Sequence, residues 1–247
     1  MTDIHLAPDV LARISLAGMA LELLGGCYLA YDLLGGRNGP LRSIARATGY
    51  LPLFLGGYWL LLGLPFALIG SVGMAALLAV EFHYAAKPGK PSRLTLAAFG
   101  LARGLVLGAA SVLPFGPAFA GLYAVLTGIG LAIVNALGLA PADDYESKPR
   151  PGLRPHNLLA SAVRAMVALA ASVVAVMTLH TPNPFNLVVR LVIAVGMIST
   201  MVGLCSPAIE RFTLEAPERR LGLIGLGFIL GGTLLDSLDK WQTAFGG

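Results

Sequence analysis

Apolar runs long enough to cross a lipid bilayer recur along this chain from residue 10 to residue 239. A helix needs roughly 20 apolar residues to span the hydrocarbon core of a bilayer. Apolar residues make up 56% of the sequence and charged residues only 12%, about half the charged share of soluble globular chains. Only short polar stretches separate the runs, which leaves room for about eight crossings. The sequence therefore predicts a multi-pass protein of the cell membrane, most consistent with a bacterial-type inner membrane.

Basic residues collect in the short connections between these runs. Three connections are basic, at 35–46, 87–93 and 146–155, and a fourth, at 210–220, is mixed but holds three arginines. Lysine and arginine in short loops favour the cytoplasmic side. If all four connections are cytoplasmic, each interval between them crosses the bilayer an even number of times, and both termini lie outside. The net charge of +4 then reflects topology, and no nucleic-acid partner is expected.

Each of the three intervals also breaks near its middle at a Pro-Phe dipeptide, namely Pro65-Phe66, Pro114-Phe115 and Pro184-Phe185. Proline disfavours helix at the preceding residue and is tolerated in the first turn of the next helix. Each interval is therefore predicted to form a helical hairpin with this dipeptide at its tip. The expected fold is all-α: a polytopic transmembrane bundle of about eight helices with a weak threefold helical-hairpin repeat.

In this prediction residues 1–247 form a single integral membrane domain. Its parts are a helix at 10–34, hairpins at 48–86, 94–138 and 157–206, and a last helix at 221–239. For 48–86, one tilted helix with a re-entrant piece is the alternative to two short helices.

Arg103 lies about ten residues beyond the basic connection that ends at Arg93, which places it about 15 Å into the bilayer at 1.5 Å per residue. Charges at this depth usually face the protein interior. Glu22, near the middle of the first helix, is the expected partner, in either a structural pair or a transport path. Gly100, Gly104 and Gly108 recur every four residues beside Arg103, and this spacing predicts a groove for close helix packing.

Arg46 and Arg164 occupy positions corresponding to Arg103 in the other two hairpins, and Arg190 lies near the outer side. These three are expected to contact lipid headgroups or the interface, because long basic side chains snorkel. Glu81 and His83 are expected to be solvated at the cytoplasmic end of the third helix.

Catalytic and metal-binding signatures are mostly absent from the sequence. It contains no HExxH, GxSxG or GxxxxGK[ST] motif. The acidic pairs Asp143 with Asp144 and Asp236 with Asp239 resemble magnesium ligands of diphosphate transferases, but the predicted topology puts them on opposite sides. No metal and no other cofactor is therefore expected.

Two classes of function fit these features. The first is a small-solute transporter or channel in which Glu22 and Arg103 line or gate a path near the bilayer midplane. The second is a non-catalytic membrane subunit that binds partner helices, further copies of itself and anionic lipid. An enzyme acting on a lipid substrate ranks third.

Overall fold

The structure is a computed structural model that describes residues 8–30, 41–86, 91–141, 155–180, 184–215 and 218–245. The described residues form eight α-helices with no strand among them. In chain order these are α1 (Pro8–Leu29), α2 (Leu41–Leu62), α3 (Leu64–Ala85), α4 (Arg93–Phe115), α5 (Pro117–Val134), α6 (Pro155–Leu179), α7 (Pro184–Glu215) and α8 (Glu218–Phe245). A π-helical turn, Asn135–Leu139, continues α5. The predicted all-α helical fold is confirmed.

Seven of the described helices are long and apolar enough to cross a membrane, and α2 is not among them. The start of α2 carries Arg42 and Arg46, and Pro52 lies inside the helix, so its uncharged part runs only from residue 47 to residue 62. Residues 48–86 nevertheless fall in two helices of 22 residues each, α2 and α3. The chain is an integral membrane protein, and the threefold repeat stays a prediction.

Glycine, rather than the Pro-Phe dipeptide, forms the turn in two of the intervals. Gly63 separates α2 from α3 with φ of 88°, and Gly116 separates α4 from α5 with φ of 85°. Both values lie in the left-handed region, which glycine adopts without a Cβ clash. Pro65 follows the first turn, whereas Pro114 lies inside α4. The predicted tips are thus correct to within two residues, but a different residue type makes the turn.

The fourth predicted connection, at 210–220, is largely helical in the structure. Helix α7 continues to Glu215, and α8 begins at Glu218. The segment before Pro217 contains neither glycine nor proline after Pro207, so nothing in it interrupts the helix. The other three basic connections lie only partly within the described residues, and Asp143 and Asp144 lie outside them.

The contacts group the chain into two compact units. The first unit comprises residues 1–45 and 214–247, and the second comprises residues 46–213. In the first unit α1 and α8 are antiparallel, because a Cβ at Gly18 would meet Gly232 whereas one at Gly25 would meet Gly225. Close approach of two backbones is what paired small residues permit in a membrane.

The second unit has an aromatic core. Tyr58 stacks on Phe54 and meets Phe66 edge to face, with ring centroids 6.0 and 5.1 Å apart. Phe119 stacks on Tyr123 at 5.5 Å. These buried rings come from α2, α3 and α5 and belong to one hydrophobic core, which joins the three helices.

Candidate functional site

The second unit contains a cavity of about 60 Å³ with two arginines in its wall, Arg103 and Arg164. The other polar lining residues are Tyr58 and Ser199, and the remaining ones are apolar. Guanidinium groups in a mainly apolar wall are a common arrangement for holding an anion, because arginine offers several donors in a fixed plane. The cavity is therefore the candidate functional site.

Arg103 reaches this wall from α4 and is only 5% exposed. Its guanidinium donates to the carboxylate of Glu81 on α3, which is fully buried. Burying an isolated charge is costly, and a carboxylate partner offsets that cost. Glu81 therefore holds Arg103 in place while the arginine also borders the cavity.

Two predictions, one about the partner of Arg103 and one about the exposure of Glu81, are corrected by the structure. Glu81 takes the place of Glu22 as the described partner of Arg103, and it is buried instead of being solvated at an interface. Glu22 lies in the first unit, where it accepts a hydrogen bond from the hydroxyl of Thr233 at 2.9 Å. His83, two residues after Glu81, is half-buried and has a ring contact with Tyr84.

Arg164 enters the cavity from α6, and it is half-buried. It donates to the backbone carbonyl of Leu139, the last residue of the π-helical turn that ends α5. Carbonyls at the end of a helix lack an intrahelical donor, so a cation is well placed there. Arg164 therefore lines the cavity, and its expected contact with lipid headgroups stays a prediction.

The turn that presents Leu139 depends on Gly138 and Asn135. Gly138 has φ of 92°, which ends the helical course of α5, and the amide of Asn135 donates to the carbonyl of Leu96 at 2.9 Å. Asn135 is fully buried, so this bond ties the end of α5 to the start of α4. The turn brings the Leu139 carbonyl to the arginine of α6.

Arg46 forms a second buried ion pair, away from the residues that line the cavity. Its Nη2 lies 2.8 Å and its Nε 3.0 Å from Oε2 of Glu210 on α7. Arg46 is 0% exposed, so the expected interface contact is replaced by a pair inside the second unit. One turn along, the hydroxyl of Tyr50 donates to that of Ser206 at 2.9 Å.

Three other polar positions that the sequence analysis singled out lie elsewhere. Arg190 is exposed on α7, and its interface contact stays a prediction. Asp236 accepts from the hydroxyl of Ser15 at 2.5 Å within the first unit. The side chain of Asp239 lies outside the described residues, so the structure does not test its pairing with Asp236.

Gly100, Gly104 and Gly108 all face α5. A Cβ at Gly100 would lie 2.6 Å from the Cα of Ala132, and one at Gly108 would lie 2.9 Å from the carbonyl oxygen of Ala120. Such separations are below any real Cβ contact. The three glycines therefore let the two helix backbones touch, and they fix the face of α4 from which Arg103 projects.

No protein family, curated protein or solved structure matches this chain.

Proposed function

We propose that the protein is a small-solute transporter or channel whose solute is a small anion. The observation that carries this proposal is the pair of arginines, Arg103 and Arg164, in the wall of an otherwise mainly apolar cavity. Charged residues at membrane depth mark substrate or ion pathways more often than they serve packing alone. The cavity volume of about 60 Å³ suits a solute of a few heavy atoms.

The two arginines are well suited to this role for different reasons. Arg103 is fixed by Glu81, so its guanidinium is oriented before any solute arrives. Arg164 donates to the backbone carbonyl of Leu139, which holds its guanidinium at the end of α5. Pre-oriented donors reduce the ordering cost of binding.

The test is uptake of an anion by vesicles containing the purified protein. Isotopically labelled methanesulfonate is a suitable probe, because its acid is too strong to cross lipid in neutral form. The membrane potential would be clamped with potassium and valinomycin. Uptake that saturates with concentration would indicate a transporter, and uptake that stays linear would indicate a channel.

Arg103→Gln and Arg164→Gln should each lower uptake by about tenfold or more, since a hydrogen bond to a charged group contributes about 1.5–3 kcal/mol. Arg190→Gln is the matched control, because it removes the same charge from an exposed position on α7. Wild-type uptake no greater than that of protein-free vesicles would contradict the proposal. Co-purifying protein chains in that case would favour the non-catalytic membrane subunit.

A further inference from the structure

Glu81 does not line the cavity, but its buried carboxylate is paired with Arg103, which does. The cavity wall includes Arg103 but not Glu81, and Glu81 is fully buried. The carboxylate therefore lies behind the guanidinium as seen from the cavity. It acts on a solute through Arg103 and through its own electric field.

A negative charge at this position has two consequences for a bound anion. It orients Arg103, and it cancels one positive charge beside the cavity. Every negative charge on the solute is repelled by Glu81 across the short distance that the guanidinium spans. A second negative charge on the solute doubles this repulsion as well as the attraction to the guanidiniums, so Glu81 offsets the gain from one of the two arginines. The mainly apolar wall does not replace the water that the second charge loses, whereas an uncharged substituent loses little.

We propose that Glu81 is a specificity-determining positioning residue, which makes the cavity select anions with one negative charge against anions with two. This inference rests on the proposed function, because it requires that an anion binds beside Arg103. The ligand class is a compact monoanion with an apolar substituent, such as a short sulfonate or carboxylate. The apolar part would meet wall residues such as Leu78, Leu107 and Ile198.

Two probes of nearly equal size separate charge from shape. Methanesulfonate and sulfate are both tetrahedral, but a methyl group in the first replaces a charged oxygen in the second. Binding would be measured from the rise in unfolding temperature of the purified protein in mild detergent, because a ligand of the folded state stabilises it by an amount that grows with the logarithm of its concentration over its Kd. Sodium gluconate, which is too large for the cavity, would hold the ionic strength constant.

The wild-type protein should bind methanesulfonate more tightly than sulfate. Glu81→Gln keeps the shape of the side chain and removes its charge, so it should shift the ratio of the two affinities towards sulfate by about tenfold or more. This fold-change follows from one unit charge roughly 7 Å from the ligand at an effective dielectric constant of about 20. Glu81→Asp keeps the charge and should keep the wild-type preference.

The two variants distinguish a charge effect from a purely structural one. If both shift the ratio equally, Glu81 acts by position alone and the inference is overturned. It is also overturned if neither variant shifts the ratio although the wild-type protein binds methanesulfonate. Absence of binding of either anion to the wild-type protein would instead refute the proposed function, and the inference would fall with it.

A double variant covers the case in which Glu81→Gln does not fold. Glu81→Gln with Arg103→Gln removes both charges and restores the net charge of the wall. Its affinity for both anions should fall because one guanidinium is gone, but its preference for methanesulfonate should return. A ratio that stayed shifted towards sulfate in the double variant would contradict the role of the Glu81 charge.

Discussion

Adding one methyl group at Gly104 should force α4 and α5 apart. A Cβ there would meet the Cα and N of Gly128 most closely, and it would lie 2.6 Å from the carbonyl oxygen of Ala124, whereas ordinary contact begins at 3.4 Å. The helices would have to separate by at least the difference at Ala124, roughly 0.8 Å, because the opposing atoms belong to backbone and cannot rotate away. A gap of this size removes about a quarter to a half of the dispersion energy of each contact along the seam. Gly104→Ala should therefore lower the free energy of unfolding by about 3 kcal/mol, the upper part of the range for overpacking.

Gly121→Ala provides the matched control, because it adds the same methyl group to α5. Gly121 is exposed, and a Cβ there would meet nothing within 4 Å. The free energy of unfolding would be measured by titrating SDS into the protein in mild detergent and following helix content by circular dichroism. Equal stabilities for the two variants would refute the argument, since the methyl group at Gly104 would then have met no resistance.

Three other predictions concern stability. Arg46→Gln and Glu210→Gln should each lower the free energy of unfolding by about 3–5 kcal/mol, because each leaves a buried charge without its partner. The double variant should recover part of this loss in the same SDS titration, and no recovery would contradict the pairing. Gly138→Ala should cost about 1–2 kcal/mol, because an L-residue is strained in the left-handed region, and an unchanged melting temperature would contradict this. Gly225→Ala should weaken the packing of α1 against α8, since its Cβ would lie 2.8 Å from a carbonyl oxygen of α1. Gly26→Ala is the control, because its Cβ would meet nothing within 4 Å. Disulfide crosslinking between cysteines introduced into the two helices would compare the variants, and equal crosslinking would be inconsistent with the glycine contact.

The helical fold could be predicted from the sequence because the bilayer leaves few alternatives. A chain that crosses hydrocarbon must satisfy its backbone hydrogen bonds internally, so long apolar runs become helices whatever their neighbours are. Glycine spacing likewise predicted a packing face on α4, because it depends only on residues within one helix. Turn positions were less predictable: Gly63 and Gly116 are surrounded by other glycines and prolines that mark the same region equally well.

The partners of the buried arginines were harder to predict, because they depend on the register between helices. Glu81 lies near the end of an apolar run, where solvation at the interface is the simplest interpretation. A usable signal was present, however: α3 and α4 are joined by a short connection, so Glu81 and Arg103 lie on adjoining antiparallel helices. Glu210 gave no such signal, since it is 164 residues from Arg46 in sequence.

The pairing of α1 with α8 has a consequence for the timing of biosynthesis. Helix α1 ends at residue 29 and α8 begins at residue 218, so about 190 residues are synthesised between them. At about 5–20 residues per second, α1 waits roughly 10–40 s for the helix that covers its glycines. During that interval its apolar run of 20 residues keeps it in the bilayer by partition into lipid alone. A ribosome that stops before α8 would therefore leave an inserted helix whose packing surface is still open.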